Sequence, residues 1–186
     1  MYIRMRHKLG KNLTIIYPGE YYVTDRDELV GTLLGSCVAV CLHDNVKKIG
    51  AMNHFMLPGK INEREIPEDD YTRYGLASMI KIIWEMLEKG AERKNLTAKI
   101  FGGGNILSSL SSPERPSMIS SDNVRMAKLM LEMEDIPIIG MDVGADFTRK
   151  IIFDVNTGRI YLRKIKGKEI TKLVIERDEK LAAGRE

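Results

Sequence analysis

Residues 32–58 read TLLGSCVAVCLHDNVKKIGAMNHFMLP, and this stretch decides the fold. Two apolar runs, Val38–Leu42 and Ile49–Leu57, flank the polar segment Asp44–Lys48. Short runs rich in β-branched residues on either side of turn chemistry predict a β-hairpin. With the turn at Asn45-Val46, Leu42 meets Ile49, Val40 meets Ala51 and Asp44 meets Lys47. Cys37 then falls directly opposite His54, with Cα atoms about 4.5–5.5 Å apart. Alternation along the strands puts Ala39, Cys41, Gly50 and Met52 on the same face. A bulge of one residue would break that placement, because every side chain would change face.

Outward from the hairpin, strands are expected upstream at Leu13–Tyr17, closed by Pro18-Gly19, at Tyr21–Val23, and over 29–34. Downstream, residues 60–70 form a polar connector whose Asp69 and Asp70 can cap a helix. That helix is predicted from Leu76, Ile80, Ile83 and Leu87, with Trp84 beside the stripe and Lys89-Gly90 as the stop. Leu96–Phe101 reads as a strand entering Gly102-Gly103-Gly104. Three glycines without a G-x-G-x-x-G context mark close backbone approach at a strand end more than a phosphate cradle. Residues 105–122 are expected as a serine-rich exposed loop. A second helix follows through Val124, Ala127 and Leu131, capped by Ser121 or Asp122. Then come a strand over Ile136–Met141 and a hairpin of Lys150–Val155 and Arg159–Ile165 about Asn156-Thr157-Gly158. The charged residues 166–186 are read as a terminal helix. The expected class is α/β, bordering on α+β, with a mixed sheet flanked by helices.

The composition limits what such a chain can be. At 186 residues, 44% hydrophobic and 30% charged, it is one domain's worth of a globular protein and not a disordered one. A chain of this size buries roughly 70% of its unfolded surface, so it needs no staple. The longest apolar run, Val38–Leu42, is far short of a membrane span, and no apolar stretch follows the basic N-terminus as in a signal peptide. Arg4, Arg6, Lys8 and Lys11 give residues 1–13 four positive charges and no acid, while the rest of the chain has 25 basic and 26 acidic residues. This arm is read as a solvated tail; a short basic arm on a near-neutral body is a weak sign of nucleic-acid binding, and none is expected. Cys37 and Cys41 lie about 13 Å apart in a strand, too far for a disulfide, and point to reduced thiols in a cytoplasmic protein.

A thiol beside an imidazole is the equipment of nucleophilic catalysis. The imidazole favours the thiolate and returns the proton to a departing amine. A hydroxyl or carboxylate on the second ring nitrogen would fix its tautomer. Gly35-Ser36 permits a tight bend whose N–H groups can face a developing oxyanion. From residue types alone, core packing is an equal or better account of Cys37 and His54. Cys41 reads as core and His43, beside the turn, as a solvated surface residue. A zinc site from Cys37, Cys41 and His54 is weaker still, since it lacks the paired spacing of zinc knuckles.

LLGSCVAVCLHD and IGAMNHFMLP, with KIFGGGNIL at 99–107 and DIPIIGMDVGADFTRKIIFDVNTGRIYLRKI at 135–165, resemble the chemoreceptor glutamine deamidases (CheD) of bacterial and archaeal chemotaxis. The resemblance spans most of residues 14–165. It implies a sandwich-like sheet system flanked by helices, similar to the deamidating cytotoxic necrotizing factors, with the whole of 1–186 as one domain. It implies a Cys, His and Thr set, carried over to Cys37 in G-S-C-V, His54 in N-H-F-M-L-P, and Thr32, the only threonine just upstream of Gly35-Ser36-Cys37. The implied reaction is hydrolysis of glutamine side chains on methyl-accepting chemotaxis receptors through a Cys37 thioester, with no metal or organic cofactor. Such a site should be shallow and open, rimmed by residues 60–70 and 105–122. The alternative is a binding module that docks a CheC-type phosphatase, the family's implied partner, with little turnover. Where many members carry an I-G-E-R-N-like stretch, this chain has Met118-Ile119-Ser120-Ser121-Asp122-Asn123.

Overall fold

The structure, a computed structural model, describes residues 3–58, 73–105 and 119–166. Among the described residues, ten strands and two α-helices follow one another as β1 (Ile3–Arg6), β2 (Asn12–Ile15), β3 (Tyr21–Thr24), β4 (Leu29–Leu34), β5 (Val38–Asp44), β6 (Ile49–Asn53), α1 (Gly75–Glu88), β7 (Leu96–Gly102), α2 (Ile119–Met133), β8 (Ile138–Val143), β9 (Thr148–Asp154) and β10 (Ile160–Ile165). They form two five-stranded sheets, ordered β1-β2-β4-β9-β10 and β3-β6-β5-β7-β8. Both are mixed: β2 runs parallel to β4 and β7 parallel to β8, while the other pairs are antiparallel. The class is α/β, as the element order predicts.

Two apolar layers hold the elements together. Ala39, Cys41 and Met52 from the second sheet meet Val30, Leu34, Ile151 and Phe153 from the first. The opposite face of the second sheet, with Val38, Val40, Leu42 and Ala51, packs on Met79, Ile82, Ile83 and Met86 of α1 and on Ala127 and Leu131 of α2. Strand β5 is therefore covered on both sides, and all seven of its residues are buried. That is why its sequence reads as a nearly continuous apolar run.

The central hairpin differs from expectation in register. Leu42 pairs with Ala51 and Asp44 with Ile49, and Val38 bridges Phe55, a shift of two residues. The cause is Asp44. Its Oδ1 accepts the N–H groups of Val46 and Lys47, each at 2.9 Å, and its backbone carbonyl accepts Lys48 N–H at 2.9 Å. The turn is thereby widened to Asn45–Lys48, with Lys48 in the left-handed region (φ 57°). On this register Cys37 stands diagonal to His54, not opposite it. A shift of two preserves the faces, so Cys37, Ala39, Cys41 and Met52 do share one side. His43, expected in solvent, is 8% exposed and meets the Phe153 ring edge to face at 6.1 Å, because its face of β5 is roofed by the first sheet.

Asp44 is itself buried. Burial raises its carboxyl pKa, but the N–H groups of Lys47, Glu92 and Val46 and the Asn95 side chain outweigh that and hold it below the usual carboxylate range. A carboxyl depressed in the fold stabilises above its unfolded pKa of about 3.9, and the contribution is lost as pH falls through the lower folded value. Asp44→Asn is expected to cost roughly 1–2 kcal/mol at pH 7, with the gap to wild type closing below about pH 4. Thermal melts across that range check this; a gap independent of pH would show that the charge is not the cause.

α1 buries Met79, Ile82, Ile83 and Met86, whereas Ile80 and Trp84 of the expected stripe are 45% and 52% exposed. Both columns satisfy helical spacing, so periodicity alone does not choose between them. The helix stops at Lys89-Gly90 as expected, with Ala91 N–H reaching back to Met86 O at 3.0 Å. Its N-cap is Tyr74, without a side-chain cap; Asp69 and Asp70 lie outside the described residues. α2 starts at Ile119, so Ser121 and Asp122 sit inside it, and Asp122 supplies a negative charge to its first turn. The basic arm is not a loose tail: β1 pairs with β2 along Ile3–Arg6, and Lys11 Nζ reaches Asp154 at 2.9 Å. The terminal helix expected within 166–186 and most of the 105–122 loop lie outside the described residues.

Candidate active site

The bend Gly35–Cys37 joins β4, in the first sheet, to β5, in the second. It crosses from one layer to the other at one end of the sandwich. The glycine run 102–104 holds it there by backbone contacts. Gly103 N–H donates to Cys37 O at 2.8 Å and Gly104 N–H to Gly35 O at 2.9 Å. Gly102 has φ 108°, and a Cβ there would lie 2.2 Å from Cys37 O. Close backbone approach is thus what these glycines provide.

The glycine run is held in turn by the β8–β9 connection. Gly144 N–H bonds Gly102 O at 2.9 Å, and Asn105 N–H bonds Ala145 O at 2.7 Å. A partly buried ion pair closes that connection: Arg149, 1% exposed, places Nε 2.7 Å from Asp142 Oδ1.

His54 is fixed from two sides. Its N–H donates to Glu20 O at 2.9 Å, and its carbonyl accepts Gly19 N–H at 2.7 Å, so the Pro18-Gly19 turn sets its backbone. One residue earlier, Asn53 is fully buried and its Oδ1 accepts Val40 N–H at 2.8 Å. A side chain replaces the ladder partner there, between the regular pairing of β5 and β6 and the Val38–Phe55 bridge. Two residues later, Asn123 of α2 donates from Nδ2 to Met56 O at 2.8 Å.

The ring's orientation comes from the other sheet. Thr32 Oγ1, on β4, lies 2.7 Å from His54 Nδ1 and 2.8 Å from Ile16 O. A hydroxyl has one hydrogen. Ile16 O is only an acceptor, so that hydrogen goes to it, and the threonine oxygen accepts from Nδ1–H. The neutral imidazole is then the Nδ1–H tautomer, which leaves the lone pair at Nε2.

The structure brings Thr32 and His54 into hydrogen-bond contact and puts Cys37 on the same inward face as His54. Diagonal neighbours across antiparallel strands are about 7–8 Å apart at Cα, within reach of an aromatic ring. Gly35 and Ser36 form the bend before the thiol. Cys41, two turns of the pleat further along β5, is core, and burial pushes its thiol far up. Among the described residues, no group of three or more His, Cys, Asp or Glu is placed to hold a metal ion. The site is not shallow: Cys37 is 2% exposed and His54 is fully buried, because both sheets and the glycine run close around the bend. Sequence reasoning missed Asn53, Asn123 and the Ile16 carbonyl. A polar Asn inside an apolar strand was the available signal for the first; a backbone oxygen leaves none.

The protein is a two-sheet α/β fold in which a thiol on the inter-sheet bend shares a face with an imidazole held by a hydroxyl of the facing sheet. The comparisons give the family. The model for CheD chemotactic sensory transduction matches residues 56–164. The chain is 42% identical over 152 residues to a probable chemoreceptor glutamine deamidase CheD of Methylobacillus flagellatus, covering 81% of this chain and 73% of that one. Proteins so named from Laribacter hongkongensis and Hahella chejuensis are 39% and 37% identical, over 86% and 91% of this chain and 76% and 78% of theirs. This chain belongs to the CheD family. The model match begins two residues after His54 and so does not cover Thr32, Cys37 or His54. No helix among the described residues is long and apolar enough to cross a membrane.

Proposed function

We propose that the chain, as one domain over 1–186, deamidates glutamine side chains of chemotaxis receptors in the cytoplasm, with Cys37 as nucleophile, His54 as proton carrier and Thr32 as the residue that positions the ring. Family membership supports the reaction and the receptor substrate. The observation that carries the residue roles is the Ile16 O, Thr32 Oγ1 and His54 Nδ1 chain, since it leaves the reactive lone pair on Nε2. Nε2 takes the Cys37 proton, and the thiolate attacks the carboxamide carbon. The protonated ring gives its proton to the departing nitrogen, releasing ammonia and leaving a thioester. Nε2 then takes a proton from water, whose oxygen attacks the thioester to yield glutamate and restore the thiol. N–H groups of the Gly35–Cys37 bend are the proposed oxyanion donors. Because the thiol and ring are covered, the bend must open locally to admit the glutamine. A CheC-type phosphatase as partner is the finer part of this proposal and rests on the family resemblance alone.

Thr32→Val keeps the shape but removes the hydroxyl, leaving Ile16 O and Nδ1–H without their shared partner. It is expected to lower kcat about 10- to 100-fold in ammonia release from a receptor cytoplasmic fragment, with KM little changed. Thr32→Ser should restore most of the rate. A Thr32→Val protein at wild-type kcat would remove threonine from the mechanism.

A further inference from the structure

Cys37 stands just before strand β5, and His43 lies near the strand's far end, about 20 Å away along the chain. At the His43 end, the Asn45–Lys48 turn of the second sheet and the Asn156–Gly158 turn of the first stand over a cleft of about 200 Å³. Its lining includes His43, Lys48, Thr97, Lys99 and Thr157. The cleft is built. Lys99 Nζ holds Gly158 O at 2.7 Å, drawing the second turn inward. Gly158 (φ 68°) lies so close to the imidazole that a Cβ there would sit 2.6 Å from His43 Nδ1. The ring bonds the Val155 backbone, while Nε2, buried, has no hydrogen-bond partner among the described residues.

A histidine whose buried Nε2 lacks a partner among the described residues, two lysines and two threonines line one small space. The ammonium groups and the Thr157 hydroxyl can each give a hydrogen bond to an oxyanion, and so can His43 once Nε2 carries a proton, while the Thr97 hydroxyl hydrogen goes to His43 O. No carboxylate lines the cleft. We propose that this cleft binds a phosphate group, as the free ion or as a phosphomonoester, held by His43 Nε2, Lys48 and Lys99. The site is separate from the thiol and does not depend on how the thiol reacts.

Proton linkage gives it a signature. Burial lowers the pKa of the imidazole, and Lys48 and Lys99 add to this; the Val155 bond and the Asp44 charge oppose it. The empty cleft therefore holds a neutral ring at neutral pH. An anion supplies the missing negative charge, so binding takes up a proton at Nε2 and weakens as pH rises.

The test is a titration of the full chain with inorganic phosphate, followed by the ¹⁵N resonances of the His43 ring, with chloride at matched ionic strength as control. A saturating shift toward the protonated ring is expected. Lys99→Met and Lys48→Ala should each weaken binding by about tenfold and leave deamidation intact. Sulfate, which does not titrate in this range, should bind more weakly at pH 8 than at pH 6. O-phosphoserine in place of phosphate separates the two sources: tighter binding of the ester assigns a phosphorylated ligand, and its exclusion assigns the free ion. Shifts that do not saturate, shifts matched by chloride, or affinity unchanged in both lysine variants would overturn the proposal. So would wild-type affinity in His43→Gln; if that protein does not fold, the lysine variants decide.

Discussion

Cys37→Ala is expected to abolish deamidation of a receptor fragment, with turnover falling by about 10⁴-fold or more, while the protein stays folded. The sulfur is the only proposed atom that forms a bond to substrate, so no neighbour can replace it. The fold should tolerate the change. Cys37 is one small member of the inter-sheet layer, and the hydrogen bonds that hold its bend are made by backbone carbonyls. Cys41→Ala is the internal control: it removes an equally buried thiol from the same face of β5, and turnover should persist. Loss of activity in Cys41→Ala with retention in Cys37→Ala would reverse the assignment.

Gly102→Ala is expected to lose both activity and stability. The new methyl would fall 2.2 Å from Cys37 O, at a φ of 108° that side chains rarely adopt. Relief comes only by moving the backbone of the bend, because the obstructing atom is a carbonyl oxygen. A displacement near 1 Å at the nucleophile costs about 100-fold in rate. Strain and overpacking together should cost roughly 2–4 kcal/mol. Gly90→Ala is the comparison. Its φ is also positive, at 95°, but nothing lies within 4 Å, so only the conformational cost of about 1 kcal/mol applies and kcat should not change. Thermal melts and ammonia release on the two variants separate steric displacement of the thiol from backbone strain in general.

The contrast between what the chain's pattern revealed and what it hid has physical causes. Alternation placed Cys37, Ala39, Cys41 and Met52 on one face, and that survives any even shift of register. The register itself depended on one carboxylate, because Asp44 chose a four-residue turn over the two-residue turn centred on Asn45-Val46. Burial of His43 depended on the first sheet, whose stacking no local pattern encodes. The close approach at Gly102–Gly104 was legible because only glycine permits it. Thr32 is a contact between sheets, 22 residues from His54 in sequence. Strand pairing could not reveal it, and the resemblance to CheD proteins did. The choice of face on α1 was open for a simpler reason: two apolar columns competed, and the sheet beneath decided.

The claim on which the mechanism stands is that the Cys37 sulfur meets the glutamine side chain. A receptor-helix peptide bearing a chloromethyl ketone in place of the reactive carboxamide tests this without requiring turnover. A thiolate that meets the ketone arm displaces chloride and keeps the peptide through a thioether. Peptide mapping by mass spectrometry should find the adduct on Cys37 alone, and much less of it in Thr32→Val. An adduct on Cys41, or native protein left unlabelled at Cys37, would contradict the account.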